Sequence, residues 1–176
     1  LDLANDVLGG GFLARLNTDI REDKGWSYGV YSYVRKPVGP RNFMVIAPVQ
    51  SDRTGDTIKA ILADMRAFPH SAPVTKEELE RVTEGNIRAL PNQLETNYGT
   101  LSIIQLNDRL GRPENYYETL ADTYRAMDTD EIEAAARRFL DPGKLVFVIV
   151  GDSKSVAPQL DGTGLPVEVR KMEEAQ

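Results

Sequence analysis

The chain has no cysteine and only one histidine among its 176 residues. Without thiols it can form neither a disulfide nor a thiolate metal site. A zinc site requires several histidine or carboxylate ligands at suitable spacing, whereas His70 stands alone between two residues of a predicted loop, Pro69 and Ser71. A Ser-His-Asp triad would depend on the same histidine. We therefore expect no metal ligand and no nucleophilic hydrolase site in this chain.

Long apolar runs and an excess of positive charge are also lacking. The longest apolar run, Leu145 to Val150, is far too short to span a bilayer, and residues 1–11 lack the basic start of a signal peptide. The formal net charge of −6 would repel phosphate backbones and anionic lipid heads. We expect neither nucleic acid nor a membrane as a partner, and a peptide partner remains open.

The remaining composition is that of an ordinary globular protein, with 41% hydrophobic and 27% charged residues. A chain of this length fits one domain. We assign residues 1–170 to that domain and expect the polar tail, residues 171–176, to fray. Because Leu1 lies inside a predicted helix and no initiator methionine precedes it, we expect the chain to be a fragment of a longer protein.

The first part of the chain predicts two helices and a β-hairpin. A helix over residues 1–8 should end at the three glycines that follow it. The second helix should end at Gly25 and carry an apolar stripe of Phe12, Leu13, Leu16 and Ile20. Aromatic and β-branched residues over 26–34 and 43–49, separated by a turn at Pro37 to Pro40, predict the hairpin.

Downstream, the patterns are mainly helical. Helices are predicted from Ser51 or Asp52, from the capping-box pair Thr75 and Glu78, after a break near Pro91, from Pro113, and from Asp128 or Thr129. The apolar run from Leu145 predicts a strand buried on both faces, and residues 167–169 predict a short strand. We predict an α+β fold whose mixed or antiparallel sheet has helices packed on one face.

One stretch is more specific. Residues 8–16, Leu-Gly-Gly-Gly-Phe-Leu-Ala-Arg-Leu, precede residues 20–30, Ile-Arg-Glu-Asp-Lys-Gly-Trp-Ser-Tyr-Gly-Val. This combination resembles the signature of the C-terminal, non-zinc domain of pitrilysin/insulinase-type zinc metallopeptidases. There, Leu-Gly-Gly is followed by Arg-Leu and then by Leu-Arg-Glu-x-x-Gly-x-x-Tyr. The order of hairpin, long helices and buried strand agrees, so the resemblance covers nearly the whole chain.

In that family an N-terminal domain supplies the zinc motif, and the homologous second domain faces it across a chamber that encloses the peptide. The resemblance implies that this chain is the substrate-binding half of a zinc-dependent metalloendopeptidase, inactive when isolated. Zinc would be bound by an N-terminal domain or subunit outside this chain. The domain's first strands would also be missing here, which would expose a sheet edge and favour self-association of the fragment.

Arg21 and Tyr28 match the family's motif in residue type and spacing, which implies that both are catalytic and substrate-binding residues pointing into the chamber. A guanidinium and a phenol can both donate hydrogen bonds to a substrate carbonyl. Without the resemblance, Arg21 would be an exposed charge at a helix end and Tyr28 a half-buried strand residue. Gly25 should allow the turn from helix to strand, and Arg15 should form a structural ion pair.

Two alternatives belong to other functional classes. A non-catalytic peptide-binding or scaffold subunit of the same family would carry the same signature, and activity on adding the zinc half would separate it from an enzyme part. An α+β binding module unrelated to peptidases would place Arg21 and Tyr28 in different environments.

The residues of the motif look most like those of bacterial members of the family. This resemblance implies a periplasmic location or, failing that, a cytoplasmic one. The carboxylates of Glu77, Glu78, Glu80 and Glu84 are expected to cover a solvated helix face.

Overall fold

The structure is a computed structural model that describes residues 1–35, 37, 39–40 and 42–170. The predicted frayed tail, residues 171–176, and parts of the predicted hairpin turn lie outside the described residues. Eight α-helices are described: α1 (Asp2–Leu8), α2 (Arg15–Asn17), α3 (Thr54–Ala67), α4 (Lys76–Ala89), α5 (Asn97–Arg109), α6 (Tyr116–Ala126), α7 (Thr129–Phe139) and α8 (Ser153–Leu160). Within the described ranges, no helix is long and apolar enough to cross a membrane.

The hairpin is the only sheet that the described residues form. Strand β1 (Tyr31–Val34) pairs antiparallel with β2 (Phe43–Ile46), and an isolated bridge between Ser27 and Val49 continues the pairing towards the start of the hairpin. The helix-rich fold with a small antiparallel sheet confirms the predicted α+β class.

The main core lies around α1. Leu3, Val7 and Leu8 are at most 2% exposed, because α1 packs against β1, α4 and α7 at once. A second, smaller apolar cluster forms where α8 lies against α3, with Ile58, Leu62, Val156 and Leu160 buried. Burial of α1 on several sides fixes the position of the glycine-rich segment that follows it.

Two predicted helix starts are confirmed in detail. Thr75 and Glu78 form a capping box at α4, with each side chain bonded to the other residue's backbone N–H. Asp128 and Glu131 form a second capping box at α7. The predicted break near Pro91 is a 3-10 turn, Pro91–Leu94, between α4 and α5. These signals are local, and each satisfies backbone donors that the first helical turn leaves unpaired.

The prediction of a central strand buried on both faces at Leu145 to Val150 is wrong for the described chain. The segment is extended but pairs with no other described strand. Val146, Val148 and Val150 are 84–87% exposed. Leu145 and Phe147 alternate with them and pack against the α3–α8 cluster. The short strand predicted at 167–169 is not formed either, and α8 was not predicted.

The predicted second helix is also corrected. Phe12 and Leu13 are 53% and 62% exposed, so only Leu16 and Ile20 of the predicted stripe are buried. The α-helical part is confined to α2, and Thr18–Asp23 follows as a π-helical turn. Phe12 and Leu13 lie in a turn before α2, so the 3.6-residue period of a helix does not apply to them.

Candidate functional site

Arg21 lies on the π-helical turn, Thr18–Asp23, which Ile20 anchors in the core with no exposed surface. The Arg21 side chain is 30% exposed. Its guanidinium lies 4.4 Å from the centre of the Phe12 ring and donates a hydrogen bond to the carboxylate of Glu22. A cation over an aromatic ring gains about 0.5–1 kcal/mol at an exposed site. These contacts orient Arg21 and leave part of its guanidinium accessible.

The turn after Arg21 depends on Gly25, as predicted. Gly25 has φ +66, in the left-handed region that glycine adopts without a Cβ clash. Its N–H donates to the Arg21 carbonyl at 3.1 Å, and the Trp26 N–H donates to the Ile20 carbonyl at 3.0 Å. The Trp26 ring is half-buried against the main core. The chain can therefore reverse sharply between Arg21 and the hairpin.

Tyr28 projects from the entrance of the hairpin and is 98% exposed. It lies outside the strands, so the half-buried strand position considered for it is wrong. Its neighbour Ser27 holds the backbone on both sides: Oγ lies 2.6 Å from the Pro48 carbonyl oxygen and accepts from the Gly29 N–H at 3.0 Å. A fixed backbone thus presents a free phenol to solvent.

No hydrogen bond connects the side chains of Arg21 and Tyr28 to each other in the described part of the chain. They are placed on the two ends of one reversal, the π turn before Gly25 and the hairpin entrance after it. Both side chains are accessible hydrogen-bond donors. The arrangement can hold an acceptor such as a peptide carbonyl, but it provides no base or nucleophile of its own.

The same run also contains Gly25-Trp26-Ser27-Tyr28-Gly29, the Gly-x-Ser-x-Gly spacing of a nucleophile elbow. An activated serine needs an adjacent base. The Ser27 hydroxyl instead contacts the backbone of Gly29 and Pro48, and among the described residues no hydrogen bond links it to His70. Ser27 is accordingly a turn residue.

Arg15 forms the predicted structural ion pair. Its guanidinium donates to both carboxylate oxygens of Glu78, at 2.7 and 2.6 Å, and to the carbonyls of Ala72 and Pro73. Burial alone would raise the pKa of Glu78, but the bonds from Arg15 and from the Thr75 backbone outweigh it and lower that pKa. Glu78 is therefore not part of a solvated helix face, because it joins α2 to α4.

Asp64 of α3 is a half-buried carboxyl near the π turn. Burial, and secondarily the negative charge of Asp19, raises the pKa of Asp64 to about 6, against smaller opposing effects of Lys24 and Arg15. One of its carboxylate oxygens is buried without a hydrogen-bond partner among the described residues. An unpaired oxygen in this position disfavours the ionised form.

The donor set of the chain does not fit a zinc site. In the described ranges, no three His, Cys, Asp or Glu side chains come together as a metal-binding group. His70 is exposed in the turn after α3. Catalytic zinc sites use about three protein ligands, so any metal chemistry associated with Arg21 and Tyr28 would require ligands from another domain.

Comparison with known proteins agrees with the motif. A family profile described as the peptidase M16 inactive domain matches residues 1–86. An uncharacterized zinc protease of Bacillus subtilis, YmxG, is 27% identical over 141 residues, which are 78% of this chain and 34% of that protein. The chain therefore spans about a third of the length of this curated relative.

Solved structures share the fold. A peptidase M16 inactive domain from Pseudomonas fluorescens aligns with a TM-score of 0.68 and 25% identity, over 81% of this chain and 34% of that one. The inactive peptidase domain of a Bordetella parapertussis protein aligns with a TM-score of 0.68 and 20% identity, over 79% of this chain and 73% of that one. The profile, the curated relative and the first of these structures confirm the resemblance found in the motif, and residues 1–86 match the inactive domain of the peptidase M16 family.

Proposed function

We propose that this chain is the substrate-binding half of a zinc-dependent peptidase, in which Arg21 and Tyr28 donate hydrogen bonds to the backbone of a bound peptide. The observation that carries the proposal is that both donors are accessible and lie at the two ends of one chain reversal. The reversal belongs to the segment that matches the family's inactive domain. The curated relative is described as a zinc protease, which supports a peptide as the ligand.

The two donors suit different parts of this task. Arg21 carries a permanent charge and a planar fork of donors, held over Phe12, which suits a carbonyl oxygen that gains negative charge during hydrolysis. Tyr28 carries a neutral donor on a ring that can also lie against a side chain of the peptide. The metal is assigned to a partner domain or subunit, since the relative is described as a zinc protease and the described residues of this chain form no group of metal-binding side chains.

A second function, peptide binding without hydrolysis, is favoured by one observation. The Arg21 guanidinium already has an anionic partner in Glu22, which reduces its capacity to stabilise another negative charge. In a scaffold subunit the same surface would hold a partner, and the ion pair would remain intact.

Peptide hydrolysis by the complete zinc-loaded protein distinguishes the two functions. Arg21→Ala should lower kcat/KM on the order of 100-fold, the usual cost of removing one donor from a developing oxyanion. Arg88→Ala is the matched control, because Arg88 is 80% exposed in α4 and pairs only with Glu84 among the described residues. Zinc content and circular dichroism should be unchanged in both variants. Equal turnover by wild type and Arg21→Ala would contradict a catalytic contribution and favour the scaffold.

A further inference from the structure

Asn17 occupies an unusual position, because its polar side chain lies in the core beneath the reversal. It has no exposed surface, and neither do its neighbours Leu16, Ile20 and Val30. Both ends of its amide are bonded: Nδ2 donates to the Phe12 carbonyl at 2.7 Å, and Oδ1 accepts from the Val30 N–H at 2.9 Å. A buried amide is tolerated because these bonds replace the ones it loses to water.

The two partners of Asn17 belong to the two segments that orient the proposed donors. Phe12 carries the ring on which the Arg21 guanidinium lies, at 4.4 Å from the ring centre. Val30 is two residues after Tyr28 and immediately before β1. The Asn17 amide therefore connects the backbone of Phe12, whose ring contacts Arg21, to the backbone segment that carries Tyr28.

We infer that Asn17 is a positioning residue, which sets the distance between the Arg21 and Tyr28 side chains without touching the substrate. The inference rests on the proposed function of those two donors. Asparagine suits this position because the site needs a donor towards Phe12 and an acceptor towards Val30 at the same time. Aspartate keeps the acceptor and the size but places a carboxylate oxygen against the Phe12 carbonyl.

Asn5 supplies a matched control. It is 5% exposed, and its amide joins α1 to the same strand, donating to the Ser32 carbonyl at 3.2 Å and accepting from the Ser32 hydroxyl at 2.8 Å. Asn5→Asp removes a buried amide donor that bonds the Ser32 carbonyl and, at 3.3 Å, the Asp6 carboxylate, and it leaves the Asn17 bonds to Phe12 and Val30 in place. A merely structural role for Asn17 predicts that the two substitutions have the same effects.

The first measurement follows Trp26, the one tryptophan of the sequence, which lies between Arg21 and Tyr28. Acrylamide quenching of its fluorescence in this 176-residue chain should rise in Asn17→Asp and stay at the wild-type value in Asn5→Asp. Circular dichroism and thermal melts identify a folded variant. If Asn17→Asp does not fold, Asn17→Ser, whose shorter side chain cannot span both partners, replaces it.

The second measurement is hydrolysis by the complete zinc-loaded protein. Asn17→Asp should lower kcat on the order of 10- to 100-fold, the cost of displacing a catalytic group by about 1 Å. In an Arg21→Ala background the same substitution should lower kcat much less, because the effects of residues that act through one another are not additive. A structural loss would instead multiply with the Arg21→Ala loss.

The outcomes separate the two proposals. Asn17 is supported as a positioning residue if Trp26 quenching rises in Asn17→Asp and if the kcat losses of Asn17→Asp and Arg21→Ala do not multiply in the double variant. Unchanged quenching, or losses that multiply, overturns the inference. If Arg21→Ala itself leaves turnover unchanged, the proposed function fails, and the comparison of Asn17→Asp with Asn5→Asp in the quenching experiment alone decides whether Asn17 holds the reversal.

Discussion

Two carboxyl groups near the motif respond to their surroundings in opposite directions. Glu78 has a lowered pKa because Arg15 holds its charged form, whereas Asp64 has a pKa raised to about 6 because burial, and secondarily the charge of Asp19, disfavours its charged form. A lowered carboxyl pKa contributes stability that is present at neutral pH and lost as pH falls. A raised one contributes stability that is present below the unfolded value of 3.8 and lost as pH rises through about 6.

Asp64→Asn should therefore stabilise the fold at pH 8 and change its stability little at pH 4. We expect a gain of roughly 1–2 kcal/mol at pH 8, which is less than the raised pKa alone would give because the group is only partly buried and solvent screens its charge. Urea unfolding at the two pH values measures the difference. If Asp64→Asn changed the free energy of unfolding equally at both pH values, ionisation of Asp64 would not destabilise the fold.

In the extended segment 145–150, successive side chains point alternately towards the α3–α8 cluster and towards solvent. Phe147 packs against the α3–α8 cluster, whereas the next residue, Val148, is 86% exposed. Phe147→Ala should cost about 2 kcal/mol, less than a fully buried phenylalanine because the ring is only partly buried. Val148→Ala, the matched control, should change stability by less than about 0.5 kcal/mol. Chemical unfolding that gives similar losses for both variants would contradict this placement.

The elements predicted well from sequence are those set by local contacts. The Thr75 and Asp128 caps and the positive φ of Gly25 each depend on residues within a few positions of one another, whereas the ion pair of Arg15 was predicted without its distant partner Glu78. The segment from Leu145 was predicted poorly, because its composition indicates an extended chain but not what lies on either side of it.

The candidate site was predicted in part. The motif singled out Arg21 and Tyr28, and their roles stay a prediction. Sequence reasoning missed Asn17, although a polar residue beside Leu16 in an apolar pattern is a detectable signal for a buried, bonded amide. It also misplaced Phe12 in a buried stripe, because the helix begins only at Arg15 and Phe12 lies in the turn before it.

At the scale of the whole molecule, a groove of about 810 Å³ separates β2 from the extended segment 145–150. Phe43, Val45 and Phe147 contribute apolar side chains to it. An open sheet edge beside an apolar groove favours pairing with another extended chain. The fold of the described residues thus leaves this side of the hairpin suited to contact with further protein.

We expect this chain, when studied alone, to self-associate through that side. Light scattering should show a mass that increases with protein concentration. Val148→Lys, which places a charge on the exposed segment, should reduce the association. Leu101→Lys is the control, since Leu101 is 51% exposed in α5 and lies away from the groove. A constant monomer mass at all concentrations would contradict the prediction.

The central claim is that the reversal between α2 and the hairpin presents donors to a peptide, and Tyr28→Phe tests it by removing a single oxygen atom from a side chain that is 98% exposed. The measurement is kcat/KM for peptide hydrolysis by the complete zinc-loaded protein, with Tyr98→Phe in α5, 81% exposed, as the control. We expect a loss of about 10-fold or more for Tyr28→Phe, with stability and zinc content unchanged, and no loss for Tyr98→Phe. Equal activity of Tyr28→Phe and wild type would contradict it.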